Sequence, residues 1–431
     1  MIALTQKKAP KNSLVITGAR VLDSVEGVDA HVDVRIDDGV IAAIGTSLER
    51  NAHRVEDAHG LVLAPAFVDP HVHLRTPGRE DEETIASGSA AAAAGGYCAI
   101  LAMPNTDPVV DSAAVLGSLI ERAGADAVVP VGFLAAITKG QSGAELTEMG
   151  ELADAGAAGF TDDGHPVRSP GLMRRALQYA SITGRRLALH EEEPSLSRDG
   201  QMHEGAISAE LGFAGYPSVA ESLMVARDIA LAAYESQPLH VMHVSAKESV
   251  ELIAGAEGVT AEVTPHHLCL TDEAVRSLDA NVKMNPPLRS ADDRAALIEG
   301  LRSGAISSVA TDHAPHARHE KEVPFEEAPF GVTGLETAFA ALYTYLVEPG
   351  LLPLETLLER MSAGPARAYG LDAPRIAVGA PANLVLLDEN SSWQVSEDCF
   401  RSRSVNSWLL GKTLRGKVRL TVANGRVVHA G

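Results

Sequence analysis

An α/β protein is predicted, a (β/α)8 barrel with a small β-sandwich domain formed by both chain ends. Three observations carry this prediction. Short apolar runs alternate with helical patterns through the middle of the 431 residues, strand-like segments occupy both ends, and hydrophobic residues make up 45% of the chain while aromatics make up only 4%. The resulting excess of Ala, Val, Leu, Ile and Gly suits layers of helix on sheet. The length suits an α/β barrel, which often exceeds the usual single-domain size.

The first sixty residues read as short strands, LVITGARVL, HVDVRI and VIAAIG, the last two joined by a hairpin-type turn at Asp37 to Gly39. The last fifty-odd behave alike: ANLVLLD and VRLTVANGRVVHA are strand-like, and Asn424-Gly425 supplies the two positive-φ residues that a tight hairpin needs. Together the ends predict one composite β domain, residues 1–66 with 372–431. Between them, over residues 67–371, eight strand candidates occur: LAPAFVDPHVH, YCAILAMPN, AVVPVGFLAAIT, AAGFTDDG, RLALHEE, LHVMHVS, VTAEVTPHH and ISSVATDHAP. Helical intervals such as PGLMRRALQYASITG and SVAESLMVARDIALAAYES separate several of them, and Ala90 to Ala94 read as a helix interior. A doubly wound open sheet is the alternative. Against it, no GxGxxG or P-loop pattern follows the first strand, and polar residues recur at almost every strand end rather than at one switch point.

A formal charge of −21 argues against a nucleic-acid or anionic-membrane binder, since both need a basic surface. It leaves open a small anionic substrate held by a few arginines aimed into one cleft. Cys98, Cys269 and Cys399 are far apart and outside any CxxC pattern, so neither a disulfide framework nor a thiolate metal site is indicated, and a reducing cytoplasm is expected. The N-terminus lacks the apolar stretch of a signal peptide, and no run approaches the ~18 apolar residues that span a bilayer.

The strand ends hold the chemistry. The first ends in His71 and His73, the fourth in Asp162 and Asp163, the fifth in His190, the sixth in His243, and the eighth in Asp312 and His313. Residues i and i+2 of a strand share a face, so His71 and His73 can grip one ion, and a barrel gathers such ends on its C-terminal face. A lone strand-end His is usually only a satisfied polar residue. The joint pattern points instead to a metal site, and imidazole with carboxylate suits Zn2+ above Mn2+, Co2+ or Fe2+. Asp162 and Asp163 compete for one inward position. His266 and His267 are adjacent, so a strand would turn at most one of them inward, and a structural role is favoured; His313 is read as no ligand, and His165, His203 and His319 receive no role.

With these residues in view, the chain resembles the amidohydrolase superfamily and, within it, the longer bacterial type of dihydroorotase. The blocks DPHVHLR, MPNTDP, FTDDG, LHEEE, MHVSA, TPHHLCLTD, NPPLR, TDHAPH and APFGVTGLET carry the resemblance, in the family's order and over nearly the whole chain. It implies two zinc ions: His71 and His73 hold one with Asp312, His190 and His243 hold the second, and Asp163 bridges them where many superfamily members use a carbamylated lysine. It implies hydrolysis of a cyclic amide by metal-activated water, with Asp312 as general acid and base, and the reverse ring closure of N-carbamoyl-L-aspartate to L-dihydroorotate in pyrimidine synthesis.

Allantoinase and dihydropyrimidinase are alternatives with the same metal cage. Dihydroorotate carries a ring carboxylate that their substrates lack, and burying it calls for a bidentate guanidinium. Arg75, two residues after His73, fits that role. The resemblance adds Asn105 and His316 beside it, His73 and Asn285 as further substrate contacts, and the backbone of Phe330 and Gly331 reading the ring amide edge. It departs at Thr76, where relatives often carry Glu. The charged segment between Asp312 and Gly331 reads either as a mobile loop over the site or as a plain surface loop. Homodimerisation and association with aspartate transcarbamoylase are further implications; a non-catalytic scaffold for that enzyme is disfavoured because all six ligand positions are present.

Overall fold

The structure is a computed structural model that describes all 431 residues, Met1 to Gly431. Five strands precede the barrel: β1 (Leu14–Asp23), β2 (Val28–Asp37), β3 (Val40–Gly45), β4 (Arg54–Asp57) and β5 (Val62–Pro65). The barrel begins with β6 (Phe67–Val72), β7 (Tyr97–Ala102), β8 (Val131–Phe133), β9 (Gly159–Phe160) and β10 (Arg186–Leu189). A two-strand ribbon, β11 (Met202–His203) and β12 (Gly215–Tyr216), interrupts it before β13 (Leu239–Val241), β14 (Val259–Val263) and β15 (Ser308–Val309) complete it. The chain closes with β16 (Leu384–Gln394), β17 (Thr413–Ala423) and β18 (Arg426–Ala430).

All eight apolar runs of the middle supply parallel barrel strands in chain order. β6, β7 and β8 pair directly, as do β9, β10, β13, β14 and β15. A bridge between Ala135 and Phe160 joins the two groups, and one between Val72 and His313 closes the ring. Asp69 staples that last seam: its buried carboxylate accepts hydrogen bonds from Thr311 N, Thr311 Oγ1 and, within its own strand, His71 N. Burial pushes the Asp69 carboxyl up to about 7, against the pull of the Thr311 hydroxyl.

The helices that wrap the barrel follow from local chemistry. Pro170–Thr183 starts where Ser169 Oγ accepts from Leu172 N, with proline in the first turn, and ends at Gly184, whose φ of 64° suits a residue without Cβ. Its buried residues Leu172, Met173, Ala176, Leu177 and Ala180 recur at the three-and-four spacing of one helical face. Truncating Leu177 to Ala would cost about 2–5 kcal/mol.

Strands from both chain ends form one eight-stranded sheet in the order β18, β17, β16, β5, β1, β2, β3, with β4 parallel to β1. The sheet curls so that β3 at one end also meets the segment leading into β16, through Ile41 N to Ala380 O at 2.9 Å and Ala382 N to Gly39 O at 3.0 Å. The resulting two layers enclose Ile16, Val34, Ile36, Leu63, Leu384, Leu386 and Leu420. The predicted hairpin turns are present at Asp38-Gly39 and Asn424-Gly425, all four residues having positive φ. Their tips touch: a Cβ on Gly425 would stand 2.0 Å from the Gly39 Cα, so only glycine fits. Val62, Ala64, Val385 and Val418 on the sheet's other face join the barrel's core, and only Ala66 separates β5 from β6. No helix is long and apolar enough to cross a membrane.

Candidate active site

At the C-terminal ends of the strands, five of the histidine and aspartate side chains singled out in the sequence form two overlapping clusters that could each hold a metal ion. One is His71, His73 and Asp163; the other is Asp163, His190 and His243. Asp163 belongs to both. Its Oδ2 lies 3.6 Å from His71 Nε2 and 3.5 Å from His73 Nε2, and its Oδ1 lies 3.7 Å from His190 Nδ1 and 3.5 Å from His243 Nε2. Asp312 Oδ1 joins the first cluster, 3.1 Å from His73 Nε2 and 3.5 Å from His71 Nε2. The competition between the two adjacent aspartates is resolved by the backbone: Asp162 accepts from Ile137 N, Thr138 N and the Thr138 hydroxyl, which fixes the turn and leaves Asp163 facing the histidines.

The donors fit a metal. His71 Nε2 is buried without a hydrogen-bond partner yet aims at Asp163 and Asp312. Its other ring nitrogen, Nδ1, donates to Glu262 at 2.7 Å, which sets the tautomer with Nε2 available as a ligand. Burial opposes ionisation of Asp163, but His71, His190 and His243 hold its carboxyl well below the ordinary carboxylate range. Asp312 is likewise depressed: burial is outweighed by His71, His73 and His243. Four imidazoles and two ionised carboxylates, with no thiolate, make a donor set suited to Zn2+.

Arg75 reaches this site by a different route from the one its spacing implied. Strand geometry stops at Val72, and Arg75 adopts a left-handed φ of 55°. His243 and Asp312 also have positive φ, 30° and 47°. Such conformations cost about 1–3 kcal/mol each and gather where surrounding structure over-determines a functional side chain. Arg75 Nε donates to Pro315 O at 3.1 Å, and Nη2 lies 3.5 Å from His316 Nε2. His316 Nε2 donates to Phe330 O; burial and then Arg75 push this imidazole down to about 2, so it stays neutral. Asn105 Oδ1 accepts from His73 Nδ1 at 2.9 Å. Asn285 Nδ2 donates to Glu192, while its Oδ1 is buried without a partner. Gly331 N–H donates to Lys283 O. A cavity of about 400 Å3, lined in part by Gln141, Gly164, His165, Arg168 and Glu192, lies at the same barrel mouth.

The strand expected to include His266 and His267 ends at Val263; both histidines lie on the short helix Pro265–Cys269. Pro265 cannot donate to a sheet ladder and opens a helix instead. His267 is taken up by Thr264 and Pro286 O, a structural role. His313 donates to Glu83 and accepts from Gly334 N, so it is no ligand.

Four supporting residues went unassigned in the sequence. Glu192 receives His190 Nε2 at 2.9 Å, and its position two residues after His190 was the available signal. Glu262 bridges His71 and His240; a carboxylate inside the apolar run VTAEV marked it. Glu82 lies against Arg75, 3.0 Å from Nε. Asn406, with no local signal, accepts from His316 N and donates to Ala314 O and Gly331 O, pinning the far side of the site.

A family profile described as Dihydro-orotase-like matches residues 60–249. A dihydroorotase from Geobacter sp. (strain M21) is 45% identical over 422 residues, covering 97% of this chain and 99% of the relative. One from Anaeromyxobacter dehalogenans (strain 2CP-C) is 47% identical over 423 residues, covering 96% and 98%. Among solved structures, an L-hydantoinase (dihydropyrimidinase) from Arthrobacter aurescens superposes with a TM-score of 0.87 at 27% identity, covering 97% of this chain and 96% of that one. A D-hydantoinase at 23% identity and a TM-score of 0.84 shows the shared fold.

Proposed function

We propose that this chain, which belongs to the dihydroorotase family, catalyses the reversible interconversion of L-dihydroorotate and N-carbamoyl-L-aspartate in de novo pyrimidine biosynthesis. One observation carries the choice of substrate: a buried guanidinium, Arg75, stands beside two metal-competent clusters that share Asp163. A site for neutral cyclic amides has no use for that charge, whereas a ring carboxylate does.

In this reading His71, His73 and Asp312 would hold one Zn2+, His190 and His243 would hold a second, and Asp163 would serve both. Bound zinc supplies hydroxide at neutral pH, by lowering the pKa of water to about 7, and polarises an amide carbonyl. The protein's own groups do the rest. Arg75 binds the ring carboxylate through its Nη atoms, with Asn105 and His316 alongside; Asn285 and the backbone of Phe330 and Gly331 orient the ring amide. Asp312 accepts the remaining proton of the attacking hydroxide and delivers it to the ring nitrogen as the C–N bond breaks, so OH is left on the carbonyl carbon as carboxylate and H on the nitrogen. In reverse, the same carboxylate takes the proton from the carbamoyl nitrogen as the ring closes and water leaves.

The catalytic barrel is assigned to residues 67–371 and the composite β domain to 1–66 with 372–431. A cytoplasmic homodimer, able as an active enzyme to associate with aspartate transcarbamoylase, completes the reading. The test compares turnover of L-dihydroorotate, allantoin and dihydrouracil by the zinc-loaded protein and by Arg75→Gln. Dihydroorotate should be the preferred substrate, and Arg75→Gln should lose that preference. Full dihydroorotate activity in the variant would refute the assignment.

A further inference from the structure

We infer that Glu82 is a positioning residue for substrate recognition, holding Arg75 in the orientation that presents its Nη edge and tying it to the segment over the site. The inference rests on the reading above and concerns how the carboxylate-binding guanidinium is held.

Arg75 is nearly enclosed, its side chain 10% exposed, and a guanidinium taken out of water is strongly disfavoured without a counter-charge. The neighbouring Thr76 offers none, and its buried hydroxyl has no hydrogen-bond partner. Glu82 supplies the charge from seven residues along the chain. Its side chain is 2% exposed, with Oε2 3.0 Å from Arg75 Nε. The Nε proton points at Pro315 O, and Glu82 Oε2 makes no directed hydrogen bond, so the two act on each other through charge. Both partners lie on the Nε side, which leaves the Nη side for a ligand carboxylate.

The chain of charges continues. Glu82 Oε1 contacts Arg79 Nη2, which also meets Glu320 Oε1. Glu320 Oε2 accepts from Ala317 N at 2.9 Å and lies 3.5 Å from His316 Nδ1. His316 returns to Arg75. Arg75, Glu82, Arg79 and Glu320 thus form a circuit of alternating charges that sum to zero, and His316, whose one N–H goes to Phe330 O, packs neutral between its two ends. Glu82, His316 and Glu320 alone have the make-up of a cation site; Arg75 and Arg79 already provide its positive charge. Because Glu320 and His316 stand on the segment that follows Asp312, the circuit links the grip on the carboxylate to the placement of that segment.

The test measures steady-state kinetics with L-dihydroorotate and inhibition by dihydrouracil, a ring without the carboxylate, for wild type, Arg75→Gln, Glu82→Gln, Glu82→Asp and the double variant Arg75→Gln/Glu82→Gln. Glu82→Gln should raise KM for dihydroorotate about tenfold with kcat changed less than about threefold, as expected for a weakened charge-assisted contact. Inhibition by dihydrouracil should be unchanged, and Glu82→Asp should recover part of the loss. In the Arg75→Gln background, Glu82→Gln should add nothing, because the group it positions is gone. Arg79→Gln, at a side chain that is half exposed, probes the outer link should Glu82→Gln fold poorly, with about a threefold rise in KM expected. A fall in kcat at constant KM, equal weakening of dihydrouracil, or additivity with Arg75→Gln would overturn the inference. Wild type that ignores dihydroorotate, or Arg75→Gln with unchanged KM, would overturn the functional reading instead.

Discussion

The two halves of the site are built differently. The metal-competent half sits on or just beyond strand ends, and its parts are held by carboxylates behind them: the buried Glu262 behind His71 and the half-buried Glu192 behind His190. The half proposed to read the substrate sits on loops: Arg75 beyond the end of β6, beside Glu82, and His316, Phe330 and Gly331 on the segment after β15, where Asn406 holds His316 and Gly331. A barrel closed by strand pairing can carry one cage for many cyclic-amide reactions, while loops choose the ring. The fold likeness to hydantoinases alongside whole-length similarity to dihydroorotases is what such a division produces.

The division can be broken most severely at the cage. Chelation, or Asp163→Ala, should reduce turnover of every substrate by at least about 10³-fold, and zinc should restore the chelated protein but not the variant. Metal content measured beside activity checks this. Asp312→Asn should lower kcat by about 10²–10⁴-fold, the usual range for a general acid or base, with a smaller change in KM. On the other half, Arg75→Gln should raise KM for dihydroorotate by about 10–100-fold and leave inhibition by dihydrouracil untouched. Asn406→Ala removes hydrogen bonds that fix His316, Ala314 and Gly331; a rise in KM of about threefold, with bound metal unchanged, would place it on the reading side.

The smallest effect is a pH dependence of recognition. Burial pushes the Glu82 carboxyl up to about 7, against the pull of Arg75 and Arg79, while Glu320 adds to the rise. As pH falls through that value Glu82 gains a proton and loses its charge, so its hold on Arg75 weakens. KM for dihydroorotate should rise a few-fold between about pH 8 and pH 6 in wild type, and Glu82→Gln should lack that limb. An identical profile in the variant would remove Glu82 as its source.

The same contrast explains what could be read from the sequence. The barrel was legible because apolar runs alternate with helical patterns and almost every run ends in polar residues; of the six candidate ligands His71 lies within a strand, and His73, Asp163, His190, His243 and Asp312 lie one to three residues past one. The choice between Asp162 and Asp163 depended on where backbone amides of Ile137 and Thr138 lie, which periodicity does not encode. The run VTAEVTPHH read as one strand, but Pro265 ends the ladder and places both histidines on a helix. Arg75 was assigned the right neighbourhood through strand geometry that stops three residues earlier, at Val72. Glu82 and Asn406 escaped altogether, because their contacts are set by loop closure and, for Asn406, by residues about ninety positions away.

The most direct measurement is the substrate preference of the purified, zinc-loaded chain, with kcat/KM for L-dihydroorotate set against that for dihydrouracil and allantoin. Preference for dihydroorotate in wild type, lost in Arg75→Gln while the bound metal is retained, is the predicted result. Turnover of dihydrouracil or allantoin equal to or above that of dihydroorotate would contradict it.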